Sequence, residues 1–288
     1  MSDVLSGVGG FVILLLLALA PALLYLAWVR KTERYMTEAW RPLLNAFAYG
    51  AVGATVLAAL IELILVSAGT SISEAFPGPD TSFLDQNTTA GAFFLVLVIA
   101  PFVEEAVKAA GVIRSSGEFR LVADGPVFGA SVGLGFGFFE TFLYGLSAFL
   151  VGGVALGIEV VIIRSFSSVL LHGASSAVFG YGQGVKVFSP GKPSTAPWYL
   201  RAVLLHSGYN LVASLPAVLV VLGIAFDEGT ADAISLVLAI VFAFLAIEYA
   251  RSLIHRSDVP PGSFAQPKKV RAATVRGKPP QPVKTARR

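Results

Sequence analysis

The sequence Val103-Glu104-Glu105-Ala106-Val107-Lys108 places two carboxylates and an ammonium inside an apolar run over residues 91–113. Such a run is long enough to cross a bilayer, which takes about 20 residues. Charged side chains are costly at that depth and need partners. On a helix, Lys108 can pair with Glu104 or with Glu105, which lie four and three residues before it. A buried ion pair that fixes helix packing needs only one acid. The second favours chemistry, because it can act as a base or help to hold a water.

The composition is typical of a polytopic membrane protein. Of the 288 residues, 55% are hydrophobic and 14% charged, whereas soluble domains carry about 25% charged residues. The chain contains no cysteine, which excludes disulfides, thiolate metal ligands and a cysteine nucleophile. We predict an all-α fold with about seven transmembrane helices. The predicted segments are 8–29, 45–68, 91–113, 126–150, 153–186, 199–226 and 231–253.

The connections between these segments alternate in charge. Basic residues occur in the connections at 30–41, 114–120 and 186–201, whereas residues 69–89 contain no Lys or Arg and the connection at 227–228 is acidic. Basic loops remain in the cytoplasm. The pattern therefore predicts a multi-pass protein of the cell membrane with its N-terminus outside and its C-terminus inside.

The C-terminal segment 257–288 differs from the rest of the chain. It has eight Lys or Arg, one acid and repeated prolines, and it cannot bury a core. We predict a disordered, cytoplasmic tail whose basic residues lie near anionic lipid headgroups, and we expect no nucleic-acid partner. The chain thus divides into a transmembrane domain over 1–256, with a catalytic core at about 91–226, and this tail.

The fourth segment combines glycines with an acid. Gly129, Gly133 and Gly137 recur every fourth residue, which predicts a smooth face that another helix can approach closely. Glu140 lies near that face, and Tyr144 is one turn further on.

The fifth and sixth segments carry further polar residues. Arg164 and His172 share a helix face, and an arginine in an apolar helix needs an anion. His206 and Asn210 lie one turn apart in the sixth segment. Counted at about 1.5 Å per residue, these residues reach a common level, whereas Glu140 lies nearer the outer half. The acids that we expect at a suitable depth are limited to Glu104, Glu105 and Glu140.

Taken together, these motifs resemble the PrsW family of intramembrane proteases, within the wider group of CAAX-processing and abortive-infection-type membrane proteases. The resemblance covers about 101–210. It rests on VEEAVK, on DGPVFGASVGLGFGFFE followed by TFLY, on Arg164 with His172, and on LHSGYN.

The sequence departs from the family pattern in three places. Thr141 stands where an asparagine usually follows the acid, and Tyr209 stands in place of a tryptophan. The acidic and aromatic signature after the first span is only loosely matched by Glu33-Arg34-Tyr35. The first two departures leave the candidate acids and histidines intact, and the third concerns subfamily and substrate.

The resemblance implies an endopeptidase that cleaves a membrane-anchored protein, such as an anti-sigma factor or another single-span protein. Peptide hydrolysis fits a glutamate that takes a proton from water, with a histidine and Asn210 donating to the oxyanion. Lys108 or Arg164 can keep the second carboxylate ionised. The catalytic candidates are Glu104, Glu105, Glu140, His172, His206 and Asn210, supported by Lys108, Arg164 and Tyr144.

Zinc chemistry is an alternative that the sequence leaves open. Two histidines with one or two glutamates can bind zinc, which lowers the pKa of a bound water to about 7. Because there is no HExxH motif, the ligands must come from different helices. The possible ligands are Glu105, Glu140, His172 and His206. The cofactor is therefore either none or zinc, and either Glu104 or Glu105 can be the base.

Two other classes of function compete with a protease. Buried Glu, His, Arg and Lys side chains can form the relay of a proton- or ion-coupled transporter, and ion pairs can serve packing in a scaffold. The sequence shows no internal repeat of the transporter kind. This favours the protease.

The predicted topology can be tested by cysteine labelling, because the chain has no cysteine of its own. Ser82→Cys and Thr285→Cys are expected to react with an impermeant thiol reagent from opposite sides of the membrane. Labelling of both from one side would contradict seven spans.

Overall fold

A computed structural model describes residues 2–78, 81–189, 191–224 and 227–260. The described residues form helices without any strand, which confirms the all-α prediction. Residues 261–288, which hold most of the predicted tail, lie outside them. The helices are α1 (Ser2–Arg30), α2 (Trp40–Ala48), α3 (Thr55–Ala75), α4 (Thr89–Phe94), α5 (Ala100–Ser115), α6 (Asp124–Phe166), α7 (Ser168–Phe188), α8 (Ala196–Ala213), α9 (Leu215–Val221) and α10 (Glu228–Ser257).

Two π-helical turns join pairs of helices. Tyr49–Ala54 continues α2 into α3, and Leu95–Ile99 continues α4 into α5. Each joined pair therefore runs as one long helical stretch.

Several helical stretches are long and apolar enough to cross a membrane. Among the described residues there are five, and a sixth is the pair α8 and α9, which is bent by 68°. The five are Gly7–Arg30, Trp40–Ala75, Thr89–Ser115, Asp124–Phe188 and Gly229–Ser257. The polytopic membrane fold is thus confirmed, whereas the number of seven spans and their orientation remain predictions.

The stretch Asp124–Phe188 folds back on itself. At Gly153 the backbone has φ 81° and ψ −178°, a conformation that favours glycine and interrupts α6. The two legs then run antiparallel, because Arg164 on the second leg reaches Glu140 on the first. A second break at Ser167 separates α6 from α7.

The predicted glycine face lies where α6 contacts α7. A side chain on Gly129 would overlap the carbonyl oxygen of Ser176, and one on Gly133 would overlap that of His172. Only glycine allows the two backbones to approach this closely. The close approach predicted for this face is confirmed, and it sets the position of His172.

The opposite face of α6 is also in backbone contact. A side chain on Gly135 would overlap the carbonyl oxygen of Phe47, and one on Gly50 would overlap that of Val132. Every residue from 123 to 138 is buried. The first leg of α6 is therefore the central helix, with α7 on one side and α2 with its π-helical turn on the other.

The bend between α8 and α9 occurs at a proline. Pro216 has no N–H and cannot bond to the carbonyl of Val212, four residues earlier. Ser235 of α10 supplies a donor instead, since its Oγ lies 2.9 Å from Val212 O and 3.2 Å from Ala213 O. A hydroxyl from a neighbouring helix thus compensates for the missing bond, as an apolar environment requires.

The glycine contacts predict a stability effect. Gly133→Ala forces α6 and α7 apart, and we expect it to lower the free energy of unfolding by about 1–3 kcal/mol and to reduce activity by displacing His172. Thermal unfolding in detergent measures the first effect. Gly9→Ala is the control, because an added Cβ there has no atom within 4 Å. Equal melting temperatures for both variants would contradict the packing argument.

Candidate active site

The site is built around a lysine that is completely buried. The Nζ atom of Lys108, on α5, lies 2.7 Å from Glu105 Oε1 and 3.6 Å from Glu104 Oε2. It also lies 3.0 Å from Nδ1 of His172 on α7 and 4.5 Å from the centroid of the Phe136 ring on α6. The predicted pairing of Lys108 with an acid of its own helix is present, and Glu105 is the closer partner.

Of the two adjacent acids, Glu105 has the larger number of close polar contacts. Besides the ammonium, its Oε1 atom accepts a hydrogen bond from Ser175 Oγ at 2.8 Å and lies 3.1 Å from Nδ1 of His206, on α8. One carboxylate oxygen therefore joins α5 to both α7 and α8.

Glu104 occupies a different position. Its side chain is buried, and Oε2 has no hydrogen-bond partner among the described residues. This atom lies 3.8 Å from His172 Nδ1 and 3.9 Å from His206 Nε2. Of the two acids, Glu104 is the one whose carboxylate is open toward the histidines.

Both imidazoles are held in the same way. His172 Nε2 lies 2.8 Å from Glu140 Oε2, and His206 Nδ1 lies 3.1 Å from Glu105 Oε1. A neutral imidazole places its N–H toward such a carboxylate and keeps a lone pair on the other nitrogen. In each ring that other nitrogen lies 3.8 or 3.9 Å from Glu104 Oε2, and in His172 it also lies 3.0 Å from Lys108 Nζ.

Glu140 joins the site rather than lying above it. Its Oε2 atom accepts a hydrogen bond from Arg164 Nη2 at 2.6 Å, and the same Nη2 lies 3.0 Å from Ser168 Oγ. The guanidinium carbon lies 3.9 Å from the centroid of the Tyr144 ring. Arg164 thus has the anion that the sequence required. The expected displacement of Glu140 toward the outer half does not keep it from His172, because the antiparallel legs bring both to one level.

A cavity of about 200 Å³ opens onto these residues. Asn210 lies in its wall and donates a hydrogen bond from Nδ2 to the carbonyl of Val96 at 2.8 Å, within the second π-helical turn. The polar residues of the wall are Glu104, Glu140, Tyr144, Arg164, Ser168, His172, His206, Tyr209, Asn210 and Ser214.

One acid near the site, Glu62, was not among the acids predicted from the sequence. Glu62 of α3 interacts electrostatically with Glu104, Glu140 and Lys108, and its buried Oε1 has no hydrogen-bond partner within the described residues. The restriction to three intramembrane acids was therefore wrong. Glu62 lies inside the apolar segment 45–68, so the depth argument used for the other acids would have found it.

Three side chains are arranged as metal ligands. One donor atom each from Glu104, His172 and His206 lies within 4.8 Å of the others, and all three residues are buried. The two histidines belong to the ligand set predicted from the sequence. The third member is Glu104, whereas the sequence predicted Glu105 and Glu140 as possible ligands. Those two carboxylates instead contact the other imidazole nitrogens, His206 Nδ1 and His172 Nε2.

Comparison with known proteins identifies the family. A family model described as PrsW family intramembrane metalloprotease matches residues 38–247. The chain belongs to the PrsW family. It is 27% identical to Protease PrsW of Shouchella clausii (strain KSM-K16) over 206 residues, which cover 70% of this chain and 83% of the relative. No solved structure matches the chain.

Two further PrsW relatives have comparable sequence identity to this chain. Protease PrsW of Bacillus subtilis (strain 168) is 31% identical over 133 residues, covering 44% of this chain and 57% of the relative. Protease PrsW of Clostridioides difficile (strain 630) is 26% identical over 208 residues, covering 69% and 78%. The chain is therefore a multi-pass membrane protease of the PrsW family, and the comparisons do not support the transporter or scaffold alternatives.

The unequal engagement of the adjacent acids predicts unequal stability effects. Glu105→Gln leaves the buried ammonium without its closest anion, and we expect a loss of about 3–5 kcal/mol of unfolding free energy. Glu104→Gln is expected to stay folded, since Glu104 is the more distant partner. Thermal unfolding compares the two, with the exposed Glu159→Gln as control. Equal losses for Glu104→Gln and Glu105→Gln would refute the pairing.

Proposed function

We propose that the chain hydrolyses a peptide bond of membrane-anchored proteins at the point where Glu104, His172 and His206 meet. The main support is the matched arrangement of the two imidazoles. Each has one nitrogen on a carboxylate and the other toward Glu104. Oriented imidazoles and a free buried carboxylate are suited to binding and activating a water.

The three residues also fit a zinc ion. A set of two histidines and one glutamate leaves the fourth position of a tetrahedral ion open, as catalytic zinc sites require. When bound there, zinc would lower the pKa of a water and polarise the scissile carbonyl. His172 Nδ1 is 3.0 Å from the ammonium of Lys108, so that contact must be released when His172 acts as a ligand.

The surrounding side chains orient this centre. Glu140 and Glu105 each hold one imidazole, and Arg164 fixes Glu140. The buried ammonium of Lys108 offsets one of the two negative charges of Glu104 and Glu105. In the zinc-free form of the reaction, Glu104 takes the proton from the attacking water.

Asn210 is suited to stabilise the oxyanion. Its side-chain amide has two N–H groups, and the bond to the Val96 carbonyl uses one of them. Asn210 also lines the cavity. We infer that the second N–H donates to the developing oxyanion, a contribution of about 3–4 kcal/mol to the transition state.

The substrate can approach from the side that the charge pattern places outside. A second cavity, of about 410 Å³, lies beside Thr88 and Phe93, and it shares Val96 and Ser214 with the cavity of the site. We infer that an extended segment of a single-span protein binds in that cavity and reaches Glu104 past Val96 and Ser214. A regulator such as an anti-sigma factor is the substrate class implied by the sequence resemblance.

Replacement of Glu104 tests the proposal. Purified protein in detergent is incubated with a labelled single-span substrate, and cleavage is followed by gel and mass spectrometry. We expect Glu104→Gln to reduce the rate at least about 10²-fold with the fold intact, because the amide can neither accept a proton nor serve as an anionic zinc ligand. The exposed Glu159→Gln is the matched control. Full activity of Glu104→Gln would overturn the assignment of the centre.

Elemental analysis tests whether zinc or Glu104 alone activates the water. We expect one zinc per active chain and its loss in His172→Ala. Active protein without zinc, insensitive to chelators, would contradict the zinc centre and leave Glu104 as the base.

A further inference from the structure

A second group of buried carboxylates lies where the α1–α2 connection meets the start of α6. Glu33 and Glu38 belong to the connection, and Asp124 is the first residue of α6. One oxygen of each carboxyl lies within 4.8 Å of one from each of the others. Counted along α6 at 1.5 Å per residue, the group is about 24 Å from Glu140. It is therefore separate from the active site.

The backbone holds part of each carboxylate in place. Glu33 Oε2 accepts the N–H of Glu38 at 2.9 Å, and Asp124 Oδ2 accepts the N–H groups of Arg120 and Leu121. These bonds orient the side chains without neutralising them. The remaining oxygens, Glu33 Oε1 and Asp124 Oδ1, are buried and have no hydrogen-bond partner in the described part of the chain.

The charge of the group is not balanced by its neighbours. Arg120 is the nearest cation, with Nη2 3.0 Å from Glu38 Oε1 and Nε 3.9 Å from Asp124 Oδ2. When all three carboxyls are ionised, the one guanidinium leaves two negative charges uncompensated. Glu33, Glu38 and Asp124 are 6%, 3% and 0% exposed, so solvent cannot compensate for these charges.

Other charged residues approach the group through the backbone. Arg30 Nε donates to the carbonyl of Glu38 at 2.6 Å, and Asp258 Oδ2 accepts the N–H of Arg34 at 2.6 Å. The guanidinium of Arg30 lies 4.7 Å from the centroid of the Trp40 ring. These contacts leave the two free oxygens of the group unpaired.

We propose that Glu33, Glu38 and Asp124 bind a hard divalent cation of the magnesium and calcium class. Carboxylate oxygens are the donors that such cations prefer, and a 2+ charge equals the uncompensated charge. The two orphaned oxygens supply ligand capacity that the protein itself does not use. Arg120, whose side chain is 41% exposed, covers the group from the solvent side.

Protons are the competitor for the same oxygens. Burial, with repulsion from Asp124 and Glu38, raises the pKa of Glu33 to about 8, and burial raises that of Glu38 to about 7. These folded-state pKa values lie above the value of 4.5 for an unperturbed glutamate, so stability without a cation is lost progressively as the pH rises from about 4.5 to about 8. A cation offsets this loss because it favours the ionised carboxylates.

The bound cation would fasten the α1–α2 connection to the central helix. Glu33 and Glu38 lie on that connection, and Asp124 begins the helix that carries Glu140 further along. The ion would thus act on stability, and the proposal does not depend on the chemistry of the active site.

The test uses the full chain in detergent, stripped of metal with EDTA and then dialysed. Melting temperatures are measured at pH 8 and pH 6 with 1 mM Ca²⁺, with 1 mM Mg²⁺ or with Na⁺ at equal ionic strength. We expect one of the divalent ions to raise the melting temperature by about 5 °C at pH 8 and by less at pH 6. Isothermal titration is expected to show one ion per chain.

Variants test whether the ion binds at this group of carboxylates and not elsewhere in the protein. Glu33→Gln keeps an acceptor for the Glu38 N–H and is expected to weaken binding of the ion at least about tenfold. If it does not fold, Glu38→Gln serves in its place. Glu118→Gln, exposed on the neighbouring α5–α6 connection, and His206→Ala in the active site should keep the ion-dependent shift. No shift in the unaltered protein at pH 8, or an undiminished shift in Glu33→Gln, would overturn the proposal.

Discussion

The ammonium of Lys108 is completely buried in an apolar helix, and the arrangement of the site follows from the anions and acceptors that this charge requires. Glu105 is its closest anion, and the same carboxylate oxygen reaches α7 through Ser175 and α8 through His206. The neutral imidazole of His172 accepts a hydrogen bond from the ammonium through Nδ1, and its Nε2 contacts Glu140. Four helices are thus tied together by contiguous polar contacts inside apolar surroundings, where an unpaired member would be costly. Glu104 is the more distant partner of this ammonium, at 3.6 Å, and its Oε2 has no hydrogen-bond partner among the described residues, which leaves it available for chemistry.

The sequence contained much of this arrangement. Hydropathy predicted the helical membrane fold, because apolar runs of that length are typical of membrane-spanning helices. The rarity of charge within those runs singled out Glu104, Glu105, Lys108, Arg164 and the two histidines. The glycine spacing predicted a close helix contact, and the structure shows that α7 is the partner. Each of these predictions rests on a residue type that is costly or unusual in a membrane helix, so a single sequence was enough.

Other features depend on geometry that spacing does not determine. The separate roles of Glu104 and Glu105 depend on the positions of α7 and α8, since both acids are within reach of Lys108 along α5. Counting residues placed Glu140 nearer the outer half, whereas its Oε2 lies 2.8 Å from His172 Nε2, because counting assumes straight, upright helices and takes no account of the break at Ser167. The second face of α6 was not predicted because Gly50, which contacts Val132 of α6, lies in a π-helical turn, which has no simple sequence pattern.

The four-residue glycine repeat of α6 has a consequence for assembly of the fold. Gly129 faces Ser176 and Gly133 faces His172, so small surfaces recur at every turn along the contact. A slip of one turn, about 5.4 Å, would bring a glycine opposite the backbone again and lose little packing. The same slip would separate Glu140 on α6 from His172 on α7 and leave polar groups unpaired in the apolar interior. The polar residues of the active site therefore also select one alignment of two helices that would otherwise have several of similar energy.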